Sequence, residues 1–277
     1  MAAEKKEIIS ALKDHAKHMR VLSLQMAYNC GGSAHLGGGL SLIEAMATLY
    51  GAVMNDQDLP YAEKDKFILS KGHGVLGFYA ALAEFGIIEE ELLGTFLKDG
   101  SDLIAHPVMK PELGLETSSG SLGQGISMAV GLALSAKKRG YSYQTYVLCG
   151  NGEFNEGSVW ESCMSAVNFR LDNFTLFLDN NHMQSDGFSE EIMDVSGKYS
   201  GMLKALGFQV IEIDGNDVEQ VYNAFTEPRK IHMPKAIIGN TVKGKGISFM
   251  ENNCDWHHNR LTRDQFNAAL SEVEAAQ

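Results

Sequence analysis

Proline and cysteine are both scarce, with 5 and 4 in 277 residues. With so little proline, no disordered linker is expected. The four cysteines (Cys30, Cys149, Cys163, Cys254) stand singly, without the paired spacing of a zinc site or a disulfide framework. They are expected to be buried free thiols in a reducing compartment. Cations are outnumbered, 23 Lys and Arg against 35 Asp and Glu, which gives a net charge of −12. That excludes nucleic acid as a main partner, because phosphate neutralisation needs a basic surface. A small anion held by local donors stays open. No apolar run is expected to reach the roughly 18 residues of a membrane span. The charged, helix-like start lacks the apolar core of a signal peptide. With 44% apolar and 21% charged residues, the chain reads as an ordinary globular, cytoplasmic protein without a membrane segment.

Glycine is what the sequence has in quantity. Its 29 residues cluster at 31–32, 37–39, 120–125 and 150–157, a pattern suited to tight turns and to backbone approaching a ligand. Apolar spacing predicts a helix over 4–29. Ser41 and Glu44 read as a capping box for a helix to about residue 54. A buried strand at 67–69, a helix over 75–85, an irregular stretch at 99–119 and a helix over 123–138 follow. Strands at 145–149 and 174–178 flank a helix over 159–169. Strands at 208–213 and 235–241 flank a helix near 217–226, and Thr262 caps a helix over 262–277. Nearly continuous apolar strands separated by helices indicate an α/β fold, a parallel sheet with helices on both faces. No composition break divides residues 1–277, which read as a single domain.

In open parallel sheets, ligands bind beyond the carboxyl ends of the strands. Three strand ends carry polar residues: His73, then Gly150-Asn151-Gly152, then Asn180-Asn181. The glycines let backbone amides approach an anion, and the following helix adds its positive N-terminal end. Asparagine and backbone carbonyls are hard oxygen ligands suited to Mg²⁺ or Ca²⁺. Each turn alone is an ordinary post-strand turn. The 27 positions from 153 to 179, one helix plus one strand, return the chain to the same sheet edge.

These residues resemble the thiamine diphosphate motif, usually Gly-Asp-Gly ending in Asn-Asn or Asp-Asn. Further segments resemble transketolases in the same order: Ser33-Ala34-His35-Leu36-Gly37-Gly38, then residues 67–73 ending in Ser70-Lys71-Gly72-His73. Ala105-His106-Pro107 follows, then 119–125, then Thr241-Val242-Lys243-Gly244 with Trp256-His257. The resemblance implies a thiamine diphosphate-binding fold, the diphosphate-binding domain. It implies metal ligands at Asn151, Asn181 and the Met183 carbonyl, holding Mg²⁺, with Ca²⁺ or Mn²⁺ as substitutes. Cofactor contacts are implied at His73, Gly120, Leu122, Gly150, Gly152, Glu153, Asn181 and His257. Catalytic roles fall to His35, His73, His106 and His257, and Glu156 sits at the subunit boundary. His15, His18, His182 and His232 are expected to be ordinary surface or core histidines.

A whole transketolase has three domains, and this chain matches only the first. The resemblance therefore implies a separate C-terminal transketolase subunit, in an α2β2 heterotetramer. Its activity would be transfer of a two-carbon ketol unit from a ketose, phosphorylated or otherwise anionic, to an aldose. Four positions depart from the pattern: Asn151 for Asp, Ser185 for an apolar residue, Leu36 for Pro, and His258 for the Gly after Trp-His. Two other readings stay open, the alpha subunit of a thiamine-dependent 2-oxoacid dehydrogenase and a degenerate regulatory or scaffolding subunit.

Overall fold

The computed structural model describes residues 2–54, 59–193 and 195–276. Five parallel strands form one sheet: β1 (Lys66–Leu69), β2 (Thr145–Gly150), β3 (Phe174–Asn180), β4 (Gln209–Asp214) and β5 (Lys235–Asn240). Their spatial order is β1-β2-β3-β5-β4. β1, β2 and β3 are buried throughout, as apolar runs covered on both faces require.

Period-two alternation divides the sheet between two cores. Phe67, Leu69, Tyr146, Leu148, Phe177 and Ile237 face one side. There they meet α1 (Ala2–Asn29), α3 (Ile43–Thr48), α4 (Val75–Glu84), α9 (Val218–Thr226) and α10 (Arg263–Ala275). Ile68, Val147, Cys149, Leu176, Leu178 and Ile238 face the other side. They pack on α5 (Gln124–Arg139), α6 (Gly157–Asn168) and α8 (Tyr199–Leu206), the last preceded by a short α7 (Ser189–Ile192). Each fully buried Phe or Leu stabilises the fold by about 1.5–3 kcal/mol. Thr262 caps α10 in a capping box with Gln265. That helix ends at Ala275, and Gln277 of the expected span lies outside the described residues.

Three expectations are corrected. Ser41 and Glu44 form no capping box. A short α2 (Leu36–Leu40) precedes Ser41, α3 starts at Ile43 with Leu42 at its N-cap, and a π-helical turn (Leu49–Val53) ends the segment. Both side chains are taken by distant partners: the Ser41 hydroxyl donates to Asp179 Oδ2 at 2.6 Å, and Glu44 pairs with Arg20. Second, Leu36–Val53 is long and apolar enough to cross a membrane by length and composition, with a mean hydropathy of 1.3 over 18 residues. Because 78% of it is buried inside the fold, core packing accounts for its apolarity. Third, all four cysteines are free, but only Cys149 and Cys163 are buried; Cys30 and Cys254 are partly exposed.

Candidate active site at the carboxyl edge of the sheet

Beneath the edge lies a buried ion pair. Asp179, near the end of β3 and fully buried, accepts from the Lys71 ammonium, Ser41 Oγ, Thr241 Oγ1 and, at 3.3 Å, Asn181 Nδ2. Lys71 also donates to Gly38 O at 2.8 Å. The pair is fully hydrogen-bonded, as a charge pair removed from water must be to persist. It ties the ends of β1 and β3 to α2 and to the segment after β5.

Above it opens a cavity of about 280 Å³, bordered by Lys71, His73, Leu122, Gly150 to Gly152, Glu156, Asn181, Met183, Ser185, Lys243 and His257. Among the described residues, clefts elsewhere reach 490, 570 and 720 Å³. None gathers strand-end asparagines and histidines, so chemistry rather than size selects the small one.

Asn151, Asn181 and Met183 meet here as expected. Asn151 Nδ2 is 3.2 Å from Met183 O and 2.6 Å from Ser189 Oγ, and Asn181 Oδ1 accepts from Met183 N at 3.2 Å. As oriented, the Asn151 amide caps the Met183 carbonyl. Turned end for end, the same amide would put Oδ1 in that place. There it would accept from the Ser189 hydroxyl. The 3.2 Å spacing is close to the edge of about 3 Å between adjacent ligands around an octahedral Mg²⁺ with bonds of roughly 2.1 Å. In that orientation the three neutral oxygens suit a hard dication that brings its own counter-charge. Among the described residues no group of three or more His, Cys, Asp or Glu is placed to hold a metal ion.

Five imidazoles crowd the rim. An antiparallel bridge between Ala34 and Asn259 joins the His35 turn to the His257-His258 turn. The His35 ring centroid is 5.6 Å from His73, 5.6 Å from His106, 5.4 Å from His257 and 4.4 Å from His258. Burial pushes His35 down to about 3, helped by His258, His257 and His106. Burial, then Lys243 and Lys71, lowers His257 to about 4. His73 falls well below the ordinary value through burial and Lys71, and His106 falls through burial and His258. These four rings are therefore neutral at pH 7, each one donor and one acceptor. Such rings suit sugar hydroxyls and proton transfer.

Gly120 carries φ 143° and lies under His106, whose ring would be 3.2 Å from any Cβ there. Only glycine allows the 120–122 loop to approach so closely. Glu153, expected at the cofactor, borders the cavity, but its carboxylate is engaged elsewhere. It accepts from Ser70 Oγ at 2.5 Å, Gly123 N at 2.8 Å and Gly150 N at 3.2 Å. It is a brace between the 120s loop and the ends of β1 and β2. Glu156 stays exposed at the cavity edge, and His15, His18, His182 and His232 are solvent-exposed in part. Lys71, Lys243, Asp179 and Ser189 were not expected at the site from sequence. The two lysines lie inside recognisable motifs, which was the available signal. Asp179 and Ser189 gain their roles only through contacts made in the fold.

A strand-edge cavity lined by lysines, neutral imidazoles, glycine amides and hard oxygens has the chemistry to hold a diphosphate-bearing cofactor. Residues 11–273 match the family model described as transketolase, thiamine diphosphate binding domain, and the chain belongs to that family. It is 38% identical over 265 residues to one of the named subunits of the apulose-4-phosphate transketolase of Actinobacillus succinogenes, covering 95% of this chain and 96% of that one. It is 38% identical over 266 residues to the 6-deoxy-6-sulfo-D-fructose transketolase subunit SqwG of Clostridium sp., with the same coverage. The human transketolase matches at 38% over 270 residues, 96% of this chain but 42% of that one. Among solved structures, the Campylobacter jejuni transketolase superposes with a TM-score of 0.86 at 28% identity, over 95% of this chain and 42% of that one. The chain thus spans about two-fifths of the solved transketolase and nearly all of the two bacterial subunits.

Proposed function

We propose that this chain is the diphosphate-binding subunit of a split transketolase. It works with a separate C-terminal subunit, as α2β2, in the cytoplasm. The reaction moves a two-carbon ketol unit from an anionic ketose, phosphorylated or sulfonated, to an aldose. The observation that carries this reading is the convergence of Asn151, Asn181 and Met183 with Lys71, Lys243 and His73 around one cavity. It is supported by relatives that are coextensive with this chain and named as transketolase subunits. Those relatives do not favour the 2-oxoacid dehydrogenase reading.

When bound, thiamine diphosphate supplies the electron sink for cleaving the ketose carbon–carbon bond. This chain's residues bind and orient. Asn151, Asn181 and the Met183 carbonyl would hold Mg²⁺, or Ca²⁺ or Mn²⁺ in its place. Lys243, His73 and the Gly150 and Gly152 backbone would hold the diphosphate, with the Lys71–Asp179 pair beneath them, and Gly120 and Leu122 would hold the aminopyrimidine through backbone groups. His35, His106 and His257, neutral at pH 7, exchange protons with sugar hydroxyls. Glu156, exposed at the cavity edge, meets the partner subunit.

The test is turnover of a phosphorylated ketose and of 6-deoxy-6-sulfo-D-fructose by this chain with and without the complementary subunit, cofactor and Mg²⁺ present. Activity only in the mixture is expected. Activity of this chain alone contradicts the split enzyme, and a stable but inactive mixture points to a regulatory subunit.

A further inference from the structure

Of the five rim imidazoles, His257 is the one with a protein hydrogen bond to a ring nitrogen among the described residues: Lys243 Nζ lies 2.9 Å from its Nδ1. The lysine is held in place. It is 2% exposed, and its ammonium also donates to Gln184 O at 3.0 Å. A Cβ at Gly37 would lie 3.0 Å from Lys243 Cγ and 2.9 Å from Trp256 O, so that glycine makes room for the lysine stem. No carboxylate forms an ion pair with Lys243 among the described residues. Burial and Lys71 lower the lysine to about 8, which leaves it mainly an ammonium at pH 7.

An ammonium has three N–H donors and no lone pair. Any ring nitrogen bonded to it must present its own lone pair. A neutral imidazole with Nδ1 used in this way carries its single proton on Nε2. We propose that Lys243 is a positioning residue that fixes His257 in the Nε2–H tautomer, so that the ring enters the cavity as a hydrogen-bond donor. The tautomer follows from the contact together with the positive charge of the lysine. Its use, donation to an oxygen of the ketose or of the cofactor, rests on the transketolase reading. The neighbouring His35 ring, edge-on to His257 at 5.4 Å, has no such protein partner among the described residues and is free to take either tautomer. The two rings therefore differ in role: one is a fixed donor and the other is adaptable.

The experiment is long-range ¹H–¹⁵N spectroscopy of the ¹⁵N-histidine-labelled full chain at pH 7, with the His257 signals assigned through His257→Asn. A single Nε2–H pattern is expected for wild type and for Lys243→Arg, which keeps a cationic donor. A mixture of tautomers is expected for Lys243→Met. A wild-type His257 protonated on Nδ1, or an unchanged pattern in a folded Lys243→Met, overturns the proposal. If Lys243→Met does not fold, the wild-type and Lys243→Arg spectra still decide it. Adding Mg²⁺ and thiamine diphosphate to the same wild-type sample separates the two claims. Unmoved His73 and His257 signals count against the cofactor reading and leave the tautomer result intact.

Discussion

Asn151 and Met183, 32 positions apart in sequence, touch at 3.2 Å through a side-chain amide and a backbone carbonyl. The contact closes the turn after β2 onto the turn after β3. Asn151 is held from two further directions: Ser189 Oγ meets its amide, and Tyr199 donates to its carbonyl at 3.1 Å. A carboxylate here would lose the donor to Met183 but add a charge to the proposed metal site.

Asn151→Asp is accordingly expected to raise Mg²⁺ affinity in the presence of thiamine diphosphate by about tenfold, or roughly 1.4 kcal/mol. Ligand charge count is a main determinant of affinity for hard cations. Calorimetric Mg²⁺ titrations of both proteins check this, and equal affinities contradict it.

Removing the Asp179 carboxylate leaves the Lys71 ammonium buried without its counter-ion. Asp179→Leu should cost about 3–5 kcal/mol in urea unfolding, and Lys71→Met/Asp179→Leu should recover part of the loss. A loss under about 1 kcal/mol for the single variant shows that the pair does not organise the edge.

Glu153 braces the turn after β2 against the 120s loop. Glu153→Ala strands the Gly123 and Gly150 amides and the Ser70 hydroxyl, with an expected stability loss of about 2–3 kcal/mol. Glu153→Gln, which keeps acceptor capacity, should lose less. Equal losses in chemical denaturation argue that the carboxylate's hydrogen bonds are not its contribution.

The lowered imidazoles make stability depend on pH. Between about pH 6.5, where an unfolded histidine titrates, and the folded values of about 3 for His35 and about 4 for His257, the unfolded chain binds more protons than the folded one. Stability is then full above pH 6.5 and falls as pH drops toward 4. Urea midpoints across that range should decline, and His35→Asn/His257→Asn should flatten the decline. A midpoint that holds steady or rises on acidification contradicts it.

The strands were legible because they are nearly unbroken apolar runs ending in polar turns; β1, β2 and β3 fall within two residues of expectation. His35, His73, His106 and His257 were legible through the motifs that contain them, and they converge. What escaped were side chains claimed by remote partners. Ser41 has the local pattern of a helix cap, yet Asp179, 138 positions away, takes its hydroxyl. Glu153 sits in the diphosphate turn, but Ser70 and Gly123 from other segments take its carboxylate. Local spacing carries no record of such contacts, because tertiary hydrogen bonds override intrinsic capping preference.

The most direct test is calorimetric titration of the chain with thiamine diphosphate plus Mg²⁺, set against thiamine plus Mg²⁺ and repeated on His73→Ala/Lys243→Met. Saturable binding of the diphosphate form alone, lost in the double variant, is expected. No binding of thiamine diphosphate, or equal binding of thiamine or by the variant, contradicts a diphosphate site at this edge.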